Sequence, residues 1–78
     1  MLSEKKRVME VLFKQGMSVE DGREVLSGFG FHSPTSRPFR GCITFMICIP
    51  IAEWHDWLLR FQRARGTINV QLAHQQLV

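Results

Sequence analysis

Most signatures of enzymatic chemistry are missing from this chain. It has no glycine-rich phosphate loop of recognised spacing, no Cys-x-x-Cys pair and no His-Glu-x-x-His. His55 and Asp56 are neighbours on an expected helix, so their side chains diverge by about 100° and form no catalytic dyad. Cysteine is scarce. Cys42 and Cys48 lie six positions apart on one extended run. At about 3.3 Å per residue they stand roughly 20 Å apart, whereas a disulfide needs Cα atoms within about 7 Å. Buried free thiols are the expectation. Cys42, Cys48, His32, His55 and His74 include no two at the close spacing of structural zinc sites, so no metal and no cofactor are expected.

Long apolar runs are missing too. The longest uncharged apolar stretch, Cys42 to Ile49, has eight residues, against about 20 for a helix that spans a bilayer. The segment from Met1 to Arg7 lacks the apolar region of a secretory signal. The expectation is a cytoplasmic protein with no membrane contact. There is no low-complexity segment and no internal repeat, and 78 residues make a single domain, 1–78. A domain this small buries only about 60% of its unfolded surface, so its core is marginal.

Charge is present but uneven. Residues 1–36 carry five basic and five acidic side chains. Residues 37–78 carry Arg37, Arg40, Arg60, Arg63 and Arg65 against Glu53 and Asp56, so the net +3 comes entirely from arginine in the second part. Arginine suits carboxylate or phosphate recognition better than lysine. A surplus of three does not by itself point to nucleic acid.

The run 42–49 reads as a strand, bounded by Gly41 and Pro50 and apolar on both faces. Ile43, Phe45, Ile47 and Ile49 are the large residues of one face. Cys42, Thr44, Met46 and Cys48 are the softer residues of the other. Residues 3–15, with Ser3 as N-cap and a stripe of Val8, Val11 and Leu12, are expected to form a first helix ending at Gly16. Ser18-Val19-Glu20-Asp21 approximates a capping box and opens a second helix over 18–27. Gly22 lies on its apolar face, which suggests a close helix approach. Residues 28–41 hold glycines and prolines and read as a loop, with a short strand at Phe29 and Phe31 as an option. A third helix is expected over 51–65, with Ile51, Trp54, Leu58 and Phe61 inward and Asp56–Arg60 as an i,i+4 pair. Residues 67–73 alternate as a half-buried strand, followed by a tail from His74 to Val78. The expected fold is α+β: an N-terminal helical hairpin followed by a β-α-β unit, in a small two-layer domain. One face of the central strand then needs either a helix or another chain to cover it, which leaves a homodimer open.

The functional expectation is a small non-enzymatic regulatory or inhibitor-type protein that docks on another protein. Chains of this size without site chemistry include antitoxin-like partners in phages and plasmids, an analogy and not a derivation. Aromatic and arginine side chains are dense in the loop, as at interface hot spots. The partner-binding set is therefore Phe31, Arg37, Phe39 and Arg40, with Arg60, Arg63 and Arg65 at the end of the third helix as a second patch. The alternative is nucleic-acid binding through the arginine-rich loop and the same helix end. An enzyme ranks third: His32, Arg37 and Arg40 are compatible with phosphodiester cleavage of the kind small toxins perform, but no spacing selects it.

Overall fold

The computed structural model describes residues 5–72. Strand β1 (Lys6–Phe13) leads to helix α1 (Val19–Ser27), then to strands β2 (Thr35–Phe39) and β3 (Cys42–Pro50). A 3-10 turn (Ile51–Glu53), helix α2 (Trp54–Gln62) and strand β4 (Thr67–Leu72) complete the order. The sheet runs β2-β3-β1-β4, and each neighbouring pair is antiparallel. β1 and β2 are thereby parallel with β3 between them, and β3 and β4 are parallel with β1 between them. Two interleaved β-α-β units in this order make the ferredoxin-like topology.

The expected N-terminal helical hairpin does not exist. The segment expected as a helix over 3–15 is instead β1, a central strand hydrogen-bonded on both sides. Val8, Met9, Val11, Leu12 and Phe13 give an apolar density that fits a helical stripe and a strand covered on both edges equally well. Pairing decides the outcome: Val11 lies opposite both Phe45 and Val70. Gly16, expected as a helix cap, is instead a turn glycine with φ 92° between β1 and α1. The expected Ser3 cap, the last residue of the 67–73 strand and the tail 74–78 lie outside the described residues.

The expected loop 28–41 contains β2, paired with β3 from Thr35↔Met46 to Phe39↔Cys42. Pro38 is tolerated because β2 is an edge strand and needs only one partner. Arg40 and Gly41 close the β2–β3 hairpin with φ of 52° and 81°. Positive φ at both central residues is what a two-residue hairpin with the right twist requires. The strand option at Phe29 and Phe31 is not taken; those residues follow α1 in a turn held by Phe29 N–H and Phe31 N–H, both donating to Leu26 O.

Both helices cover one face of the sheet. Met9, Val11, Phe13, Phe45, Ile47, Ile49 and Val70 meet Leu26 and Phe61 in a single core. Phe13 and Phe45 pack edge-on at 5.7 Å. α1 starts at Ser18, whose Oγ accepts from Asp21 N–H at 3.1 Å. It approaches so closely that a Cβ at Gly22 would lie 2.5 Å from Phe45 Cε2. The close approach at Gly22 is thus to the sheet and not, as expected, between helices. α2 stops at Gln62, short of the expected 65. Its inner side joins Trp57, Phe61, Phe29 and Phe31 in an aromatic cluster, with Phe31 and Trp57 centred 5.0 Å apart.

Candidate docking face

Alternation along the strands sends a second set of side chains to the face that carries no helix among the described residues. β1 contributes Val8, Glu10 and Leu12; β3 contributes Cys42, Thr44, Met46 and Cys48. β2 adds Thr35, Arg37 and Phe39, and β4 adds Asn69 and Gln71. Across the strands Arg37, Thr44, Leu12 and Asn69 form one row, and Thr35, Met46, Glu10 and Gln71 form the next. Val8, Leu12, Cys42 and Met46 are half-buried by their neighbours in the sheet, and Cys48 is exposed. Free buried thiols were expected; both cysteines are free, but Cys42 is only half-buried and Cys48 faces outward.

One polar network organises this surface. Glu10 Oε2 accepts from Arg37 Nη2 at 3.3 Å, and Glu10 Oε1 accepts from Gln71 Nε2 at 3.1 Å. The carboxylate therefore ties the two edge strands together across β3 and β1. Glu10 is largely covered, at 16% side-chain exposure, while Arg37 is 64% exposed. An ion pair with so exposed a cation contributes little to stability, but it fixes the direction of the guanidinium. Beneath the network lies a shallow cavity of about 240 Å3 lined by Leu12, Thr44, Phe39 and Asn69 together with the charged pair.

The seven expected binding residues fall into three places. Arg37 and Phe39 are on the helix-free face, and Arg40 joins them from the hairpin, its guanidinium 5.5 Å from the Phe39 ring centre. Phe31 sits on the other side of the sheet, packed against Trp57 and Phe61. Arg60 lies over Trp57 at 4.7 Å and not against Asp56, so the expected i,i+4 pair is absent; Trp57 Nε1 donates to Glu53 Oε1 at 2.9 Å. Arg63 ends α2, and Arg65 borders an open, polar concavity of about 450 Å3 with Lys14, Asp21 and Glu24. The loop and the helix end thus form no continuous arginine patch.

Glu10, Leu12 and Gln71 are the site residues that sequence reasoning misses. Glu10 is hidden by the helical reading of its segment. The period-two arrangement of Met9, Val11 and Phe13 is the signal that places Glu10 on the opposite face.

Among the described residues no group of three or more His, Cys, Asp and Glu side chains converges on a metal position. No helix among them is long and apolar enough to cross a membrane. Comparison with protein-family models, with curated proteins and with solved structures finds no significant match.

Proposed function

We propose that this chain is a small non-enzymatic binding protein of regulatory or inhibitor type, and that it docks on another protein through the helix-free face of its sheet. The observation that carries this reading is the composition of that face. It sets the apolar side chains of Val8, Leu12 and Met46 around the Glu10–Arg37–Gln71 network, has no layer of its own among the described residues, and carries a cationic rim formed by Arg37 and Arg40. Arg37 is held in place by Glu10 before any partner arrives, which lowers the ordering cost of using it. The complementary surface sets apolar groups against Val8, Leu12 and Met46 and carboxylates opposite the two arginines. Two features speak against single-stranded nucleic acid. Phe39 is the one aromatic on this face, whereas base stacking uses several. The remaining arginines are dispersed over other parts of the molecule.

The test is capture from extract of the native host, with and without nuclease, using the wild type, Arg37→Asp, Met46→Lys and the α1 variant Arg23→Glu. A protein retained by the wild type and Arg23→Glu, lost by the two face variants and indifferent to nuclease supports the proposal. Capture unaffected by the face variants, or abolished by nuclease, overturns it.

A further inference from the structure

The two edges of the sheet differ in kind. β2 ends one side with Pro38 and Arg37 and turns at Arg40, features that discourage pairing with another strand. β4 ends the other side as Thr-Ile-Asn-Val-Gln-Leu, without proline or charge. The chain carries no Asp, Glu, Lys or Arg from Thr67 onward. A bulge where Leu12 and Phe13 pair with Asn69 and Thr67 leaves Ile68 out of the ladder, at 59% exposure. From Asn69 to Leu72 the register is regular. Among the described residues nothing pairs with the outer side of β4.

The helix beside this edge matches it. His55, Leu59 and Gln62 recur at helical spacing along one flank of α2, and Ile51 lies in the 3-10 turn before it. Gln62 lines a cavity of about 100 Å3 with Thr67, Ile68, Asn69 and Val70, which places this flank over the β4 edge. Ile51 and Leu59 are each 41% exposed. Leu59 and Ile68, two of the four exposed large hydrophobics among the described residues, therefore lie on this side of the molecule; the others are Phe39 and Ile51, whose N–H donates to Lys5 O.

We propose that the β4 edge and this flank of α2 form the contact between two copies of the chain, joined by antiparallel pairing of β4 with itself. Charge selects the occupant. In a contact with two-fold symmetry, residues near the axis meet their own copies. A charged edge would repel itself there, and the β4 edge carries no Asp, Glu, Lys or Arg although the chain is +3. A partner of opposite charge would find nothing to recognise on it. Geometry agrees. Opposed residues in an antiparallel pair share a face, so a two-fold axis normal to the sheet sets Asn69 and Gln71 against the same set in the second copy. The product is a continuous eight-stranded sheet with the α2 helices side by side. The helix-free faces then join into one platform, with Arg37 and Arg40 at its two ends. Asn69 and Gln71 also border the docking face, whereas Ile68 and Leu59 do not; the oligomeric state is read without reference to any docking partner, so this inference stands without that reading.

The experiment is light scattering after gel filtration, with sedimentation, between about 1 and 100 μM. The wild type is expected to be a dimer in this range. Asn69→Lys and Leu59→Lys each place like charges across the axis, and each is expected to raise the dissociation constant more than about tenfold. Circular dichroism and melting check that each variant is folded. The two variants lie on different elements, so failure of one to fold leaves the other as the test. Arg23→Glu on α1 is expected to remain a dimer. A wild type that is monomeric throughout the range overturns the proposal. So does a dimer that survives both variants, or one dissociated by Met46→Lys and not by them.

Discussion

Ile43, Phe45, Ile47 and Ile49 project from β3 toward two helices, while Cys42, Thr44, Met46 and Cys48 project from the same strand toward no other layer of the described chain. Both sets are uncharged, and one strand supports both, so the difference lies in what covers them. The covered set is anchored by aromatic packing and by a glycine that lets α1 press on the ring of Phe45. The uncovered set is shielded only by its cross-strand neighbours and by the Glu10–Arg37–Gln71 network above it. Stability therefore resides on one face and recognition is free to occupy the other.

The largest expected effect comes from the covered face. Phe45→Ala should cost about 3–5 kcal/mol in urea unfolding, most of what a small domain has to spare. Met46→Ala, one residue along and facing the other way, should cost about 1 kcal/mol or less. Equal losses would mean that something also packs on the open face. Next in size is Gly22→Val. Its side chain meets the Phe45 ring, and overpacking of this kind costs about 1–3 kcal/mol; a melt unchanged from the wild type would show that α1 can lift away freely.

Smaller again are the charged residues of the open face. Arg37→Ala and Arg40→Ala should each weaken partner binding while shifting stability by under about 0.5 kcal/mol. A paired binding assay and melt would separate the roles, and an early melt with normal binding would reassign these residues to the fold. The smallest perturbation is thiol labelling of the folded wild type. Cys48 should react with a water-soluble maleimide well before Cys42, and bound partner should slow Cys48. Comparable rates would remove the distinction between an exposed and a half-buried thiol on that face.

The elements legible in the sequence are those that carry their own boundaries. Gly41 and Pro50 bracket β3, Ser18 caps α1, and Gly66 precedes the alternation of β4. β1 was not legible, because five apolar residues among Val8–Phe13 satisfy either period and nothing local chooses between them. β2 was obscured by Pro38, which is admissible only at an edge, and the edge exists only once the sheet is assembled. With β1 read as a helix, Arg37 and Phe39 stand out in the sequence, but Glu10 and Gln71, which position Arg37, do not. Phe31 and Arg60 were grouped with them on composition, and both instead engage Trp57.

The central place of β1 has a consequence for how the chain acquires its shape. Val11 needs Phe45 on one side and Val70 on the other. The earlier of these segments thus waits for one about sixty residues further along the chain. While a ribosome is still extending the chain, β1 has no strand to complete it on the β4 side, and its apolar residues stay in search of one. Contacts so distant along the chain make folding slow relative to a helical bundle of equal length. Until β4 emerges, β1 presents an open edge of its own, and the sheet closes around β1 only once β4 is available.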